Sequence, residues 1–346
     1  MRIFNLIPGV RTTWSGVLTT IILPESLTEE NLSRFHLYGS FINILEVSIR
    51  HGPAPSKLYH WLFAYSRTRP LLPKLQTLAF ISRDRLWGHS LTPLSTWLTL
   101  FLSPSLLHFQ LPTLTSQLGT YFILRSLARI CPNLRTLDFF STDRSDTLSN
   151  PQKDEWNHQL SNAETSTHHD LNPLFARLRY LISLRTHRKV LESLSPDALP
   201  RLEWLDVLIP HDSSSDVGIP YTLLTSLKHV GIFKCADKFI LETLPASAVT
   251  LTSVEIGSRL NKSLVRQVTA RLAMYCPFLT DLSLNIVAPP IKADLAPLAL
   301  IAPLRRLYVI HSDSISPAYQ SNVFSYIKDL LPGLKSLELR YGYTHR

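Results

Sequence analysis

The chain has 346 residues, a formal net charge of +9 at pH 7, 45% hydrophobic residues and only 18% charged ones. This composition excludes a disordered chain and supplies core material for one large or two ordinary domains. Eleven glycines against 24 prolines argue against glycine-rich phosphate loops and for many short, punctuated elements.

At the N-terminus, Pro8, Gly9 and Arg11 interrupt the apolar residues, and no small-residue cleavage pattern of a signal peptide stands out. No run of about 18 apolar residues occurs, so no membrane span is expected. Ser26–Tyr38 has helical periodicity. The remainder of residues 1–40 reads as an irregular cap over the elements that follow.

From residue 41 onward one motif recurs. Pro132 to Phe139 reads PNLRTLDF, and the template P-x-L-x-x-L-x-Φ (Φ apolar) returns at Pro73, Pro200, Pro277 and Pro332. Without the proline it gives eleven units, opened by Ile44, Leu75, Leu106, Leu134, Leu178, Leu202, Leu227, Leu251, Leu279, Leu304 and Leu334. Most starts lie about 24–31 residues apart, close to the period of leucine-rich repeats. The Leu178 unit is the poorest match, because Ser183 takes its last apolar position.

Alternate side chains of a strand face opposite ways. Leu137 and Phe139 therefore point inward, and Thr136 and Asp138 outward. One unit cannot cover its own apolar face, but stacked units cover each other. Helical periodicity marks return segments at 56–66, 118–130, 260–275 and 317–331. Pro132, Pro277 and Pro332 act as stops before the next strand. The expected fold is an α/β right-handed leucine-rich-repeat solenoid, a horseshoe of about eleven parallel strands over residues 41–346. Its concave face is the parallel sheet and its convex arcs are helical. A polar insertion at about 140–173 and a shorter polar loop at 211–218 interrupt it.

Few residues suggest chemistry. His158, His168, His169 and Asp170 lie in the polar insertion, where nothing fixes ligand geometry. Asp138, Asp206 and Glu255 share one strand position but come from non-neighbouring units, so they read as surface charges. Cys131 and Cys276 precede equivalent prolines and read as buried structural thiols. With Cys235 they are too few for a disulfide framework or a paired zinc site, which fits a reducing, intracellular compartment, cytoplasm or nucleus. No phosphate-loop, nucleophile-elbow or zinc-protease motif occurs. No catalytic residue, cofactor or metal is expected.

The outward strand positions are the functional candidates, because solenoids bind partners on that face. They run in pairs through the chain: Thr77 and Ala79, His108 and Gln110, Thr136 and Asp138, Tyr180 and Ile182. Trp204 and Asp206, His229 and Gly231, Ser253 and Glu255 follow, then Asp281 and Ser283, Arg306 and Tyr308, Ser336 and Glu338. Tyr180, Trp204, Asp206, His229, Glu255, Asp281, Arg306 and Tyr308 are the chosen partner-binding residues, with a protein as the partner. Lys and Arg are dispersed and the face mixes charge signs, so no nucleic acid is expected.

The strings Cys131-Pro132-Asn133-Leu134 and Cys276-Pro277-Phe278-Leu279, with FLSPSL from Phe101 to Leu106, carry a family resemblance. They resemble the leucine-rich-repeat half of F-box proteins, especially the large set of mushroom-forming, basidiomycete fungi. The resemblance covers residues 40–346. It implies a non-enzymatic scaffold that recognises substrates for an F-box-type (SCF) ubiquitin ligase. The family's F-box is an N-terminal helical segment, and it is not found in the first 40 residues. A Skp1-type adaptor is therefore a partner only where an F-box precedes this sequence. The ninth repeat position is Cys235 in one unit but Arg83, Thr142, Pro210, Arg259 or Gly342 elsewhere, so a continuous asparagine ladder is not expected. Two other readings stay open: a leucine-rich-repeat GTPase-activating protein, with a catalytic Arg or Asn on a loop at the sheet edge, and a degenerate family member.

Overall fold

Each recurring motif folds into a tight turn followed by a strand. The computed structural model describes residues 11–15, 18–22, 29–49, 66, 69–82, 98, 100–111, 117–139, 170–192, 194–209, 226–233, 240–241, 250–287, 290–311 and 317–341. The Leu134 amide donates to the Cys131 carbonyl at 3.2 Å, and the Leu279 amide to Cys276 at 3.2 Å. Leu75, Leu106, Leu202 and Leu334 donate in the same way to Leu72, Ser103, Leu199 and Leu331. Pro73, Pro104, Pro132, Pro200, Pro277 and Pro332 thus fall at the second position of a four-residue turn. There the fixed φ of proline matches what the turn requires. The proline does more than stop a helix: it reverses the chain into the strand.

The chain divides into two compact units, Met1–Leu181 and Ile182–Arg346. In the first, β1 (Arg11–Ser15) and β2 (Leu18–Ile22) form an antiparallel hairpin, followed by α1 (Glu29–Gly39). The sequence reading of residues 1–40 contained the helix but not the hairpin. Next come β3 (Ile44–Ile49), β4 (Thr77–Ser82), β5 (His108–Gln110) and β6 (Thr136–Asp138), each parallel to the one before. The described residues of this unit also form the helices α2 (Gln117–Ile130) and α3 (Asn172–Arg177).

Among its described residues the second unit holds seven strands, each after the first parallel to the one before it. They are β7 (Ser183–His187), β8 (Trp204–Leu208), β9 (His229–Phe233), β10 (Ser253–Leu260), β11 (Asp281–Ile286), β12 (Arg306–His311) and β13 (Ser336–Tyr341). The described residues therefore hold eleven parallel strands, four in the first unit and seven in the second. Helices α4 (Arg188–Glu192), α5 (Lys262–Tyr275), α6 (Lys292–Leu295) and α7 (Pro317–Leu330) lie between strands in the chain. The expected helices at 118–130, 260–275 and 317–331 correspond to α2, α5 and α7. The 56–66 helix, the polar insertion from Phe140 to His169 and the 211–218 loop lie outside the described residues, apart from Ser66.

One backbone device repeats at nearly every junction. The carbonyl just before a strand accepts the two successive amides that open the next strand. Glu203 accepts from Lys228 (2.8 Å) and His229 (3.0 Å), and Lys228 accepts from Thr252 (2.9 Å) and Ser253 (3.0 Å). Asn43, Gln76, Leu107, Ile182, Thr252, Thr280 and Arg305 do the same. Within each unit the opening residues of neighbouring strands are thereby held in matched register; further along, β10 and β11 shift against each other between Ile256 and Leu260.

The core lies on the side of the strands that carries the motif leucines. β10 alternates half-buried and buried residues along its first six positions. Leu205, Val230, Val254 and Leu282 are all at most 2% exposed. Burying such a side chain is worth about 1.5–3 kcal/mol each. Helix α5 covers the same core with Leu264, Val265, Val268, Thr269 and Leu272. Its first turn is capped by Asn261, whose side chain accepts the Leu264 amide at 2.9 Å. That satisfies one of the donors a helix start leaves free.

One strand register differs from the sequence reading. Ser183 pairs with Trp204 and Leu184 with Leu205, so this unit opens at Leu181 rather than Leu178. Leucines at 178, 181 and 184 recur every three residues, and the template fits at two positions. The outward residues of β7 are therefore Ser183 and Arg185, not Tyr180 and Ile182. Tyr180 sits in the preceding turn, half-buried, with the Arg179 guanidinium 5.0 Å from its ring centre.

Candidate functional site on the outward face of the second unit

Period two and the parallel register place the outward residues of this unit in straight rows across the strands. The first row runs Ser183, Trp204, His229, Ser253, Asp281, Arg306, Ser336. The second runs Arg185, Asp206, Gly231, Glu255, Ser283, Tyr308, Glu338. Seven of the eight chosen residues, all except Tyr180, occupy these two rows.

Their exposure is uneven. Asp206 is 2% exposed and His229 3%, so neither offers a surface to a partner, contrary to the sequence reading. The cause is a closed polar array. Arg185 Nε and Nη2 lie 2.8 and 2.7 Å from Asp206 Oδ2, and His229 Nε2 lies 3.0 Å from Asp206 Oδ1. Burial works to raise the Asp206 pKa. The hydrogen bond from His229 and the charge of Arg185 outweigh it and hold the carboxyl below its ordinary value. An ionised carboxylate only accepts, so His229 Nε2 carries the proton. The other ring nitrogen, Nδ1, lies 2.9 Å from Ser253 Oγ.

Gly231 makes room for this array, and Gly257 makes room for the neighbouring Phe233 ring. A Cβ on Gly231 would stand 2.1 Å from Asp206 Oδ1, and one on Gly257 would stand 2.3 Å from the Phe233 ring. Glycine inside a strand marks close approach of another group, and that was the available sequence signal. Arg185 was missed through the register slip, and Ser253 was named as outward without a partner assigned to it.

Above the array lies Trp204. Its ring stacks on His229 at 3.7 Å between centres and 12° between planes, yet it remains 44% exposed. Further along, Arg306 pairs with Asp281. Burial tends to raise the Asp281 pKa, and hydrogen bonds from Arg306 and Thr280 bring it below the ordinary value. The Arg340 guanidinium sits 5.0 Å from the Tyr308 ring centre and bonds Glu338 at 2.7 Å. Glu255 is half-buried on the central strand of the seven.

Ser253, His229 and Asp206 are spaced like a nucleophile, base and orienting acid. The two amides at Ser253 and Thr252 are both committed to the Lys228 carbonyl. Neither of these two amides is therefore free to donate to a developing oxyanion of the kind acyl transfer requires. The array's evident effect is to fix the indole.

Cys131 and Cys276 are fully buried, and burial pushes both thiols up to about 12. At Cys131 a hydrogen bond with the Ser103 backbone acts weakly the other way. Cys235 and the histidines at 158, 168 and 169 lie outside the described residues. Among the described residues no group of three His, Cys, Asp or Glu is placed to hold a metal, and no helix is long and apolar enough to cross a membrane. The chain matches no protein-family model and no curated protein.

Proposed function

We propose that the chain is a leucine-rich-repeat solenoid that serves as a non-enzymatic protein-interaction scaffold, with the outward face of the second unit as its partner-binding surface. Trp204 carries this reading. Its ring is exposed but immobilised on His229, which is itself locked by Asp206, Arg185 and Ser253. A large aromatic surface held rigid in advance loses little freedom on binding, and Trp, Tyr and Arg are the residues that anchor interfaces. Arg306 and Tyr308 extend the surface along the same rows. The mixed charge of the face, with Arg185, Arg306 and Arg340 against Glu255, Asp281 and Glu338, favours a protein over a polyanion. The eleven parallel strands and the repeated carbonyl–amide junctions support the solenoid reading.

The resemblance to the repeat half of F-box proteins makes the partner a substrate of an SCF-type ubiquitin ligase. A Skp1-type adaptor enters only through an F-box joined to this chain. Affinity capture with the wild-type chain and with Trp204→Ala tests both parts. Loss of captured proteins in the variant, with circular dichroism unchanged, supports the face, while equal capture overturns it. Recovery of cullin–RING subunits supports the ligase assignment. Capture that depends on Trp204 but never includes them removes the ligase and leaves the scaffold.

A further inference from the structure

The last strand presents an edge that the rest of the second unit does not. β13 has β12 on one side and, among the described residues, no strand on the other. Leu337 and Leu339 are only half-buried, whereas their register mates Leu307 and Val309 on β12 are 1% and 4% exposed. The Ser336 amide donates to the Arg305 carbonyl at 3.0 Å, toward β12. Backbone groups alternate sides along a strand. Those of Leu337, Leu339 and Tyr341 therefore line the far edge, where an open row of donors and acceptors invites another strand.

We propose that this edge pairs with β13 of a second copy of the chain, antiparallel, about a two-fold axis through Leu339. The sequence Leu337-Glu338-Leu339-Arg340-Tyr341 is complementary to itself about that axis. Leu339 meets Leu339 of the second copy in a hydrogen-bonded pair, and Leu337 meets Tyr341. Glu338 meets Arg340, and Arg340 meets Glu338, both at non-hydrogen-bonded positions, where opposed side chains come closest. An axis through Leu337 would instead set Ser336 against Glu338 and pair no opposite charges. Glu338 and Arg340 already bond each other within one chain at 2.7 Å. Dimer formation exchanges the two intrachain bonds, one in each copy, for two equivalent ones between the copies. The charges therefore set the register, while the driving force is the closed backbone edge and the covered leucines. A single pair of short strands makes a small interface, so the dimer is weak and concentration-dependent.

Sedimentation velocity of the 346-residue chain from about 1 to 200 µM tests the proposal. The expected result is a reversible monomer–dimer equilibrium. Glu338→Arg alone and Arg340→Glu alone each place like charges opposite one another twice, and each weakens dimerisation by about tenfold or more. The double swap, Glu338→Arg with Arg340→Glu, restores it. Both side chains are exposed, so circular dichroism is unchanged in all three variants. A chain that stays monomeric throughout the range overturns the proposal and means that something other than a second copy covers the edge. Single variants that dimerise like the wild type, or a double swap that fails to recover, also overturn it.

Discussion

His108 in the first unit and His229 in the second occupy the same strand position and make the same bond. His108 Nδ1 lies 2.7 Å from Thr136 Oγ1 on the next strand, and His229 Nδ1 lies 2.9 Å from Ser253 Oγ. Yet His108 is exposed and His229 is buried. The difference comes from the preceding strand. On β8, Trp204 and Asp206 stand where β4 has Thr77 and Ala79. The first histidine therefore has neither a ring above it nor a carboxylate beside it. On its own strand Gln110 holds the position that Gly231 holds beside His229, so no space is left for a carboxylate to lean across. The same strand position thus makes a plain solvated row or a locked polar array, according to three outward residues.

The largest test of this contrast is Asp206→Ala. It leaves the Arg185 guanidinium and the His229 donor without their acceptor in a buried site, at a cost of about 3 kcal/mol. His108→Ala, at an exposed position, changes stability by less than about 0.5 kcal/mol. Urea denaturation of both variants measures the difference, and equal costs would show the array to be structurally idle. Gly231→Ala comes next. Its methyl collides with Asp206 Oδ1 and forces the carboxylate away, at about 2 kcal/mol, whereas Gln110→Ala in the first unit costs far less. Tryptophan fluorescence should also change in the Gly231 variant, because the surroundings of Trp204 shift with His229.

Acid titration gives a smaller, graded effect. The Asp206 carboxyl is held below its ordinary value in the folded chain, so its stabilisation is present above the unfolded pKa, about 3.8, and is lost as pH falls through the lower folded value. The stability gap between wild type and Asp206→Asn should therefore be constant near neutrality and shrink below about pH 4. A gap that widens on acidification would contradict the assignment.

The smallest effect concerns a feature the two units share. Cys131 and Cys276, one in each, have thiols pushed up to about 12. At pH 8 both should resist a thiol reagent in the native state and react only on unfolding. With a raised folded pKa, the stabilisation from each neutral thiol is complete below the unfolded value, about 9, and declines as pH rises toward 12.

Much of this arrangement is legible in the sequence. The alternation in LRTLDF or LTDLSL separates core from surface because a strand has period two, and the proline two residues before the first leucine marks the turn. Where leucines recur every three residues, as at 178, 181 and 184, the motif fits twice. There the local pattern gave the wrong outward pair and placed Tyr180 on a strand it does not join. The β1–β2 hairpin was also missed, since the Arg11–Ile22 stretch carries none of the recurring motif.

Where the motif fits at one place only, the amino-acid order by itself determined where strands lie and which leucines they bury, because both follow from nearest-neighbour geometry along the chain. It could not determine that Asp206 and His229, polar residues at surface positions, would be withdrawn from water. That depended on which residues the parallel register brought side by side from segments more than twenty residues apart: an arginine, a hydroxyl, an indole and the gap beside a glycine. Burial of a charge is decided by its partners, and only the folded chain selects them.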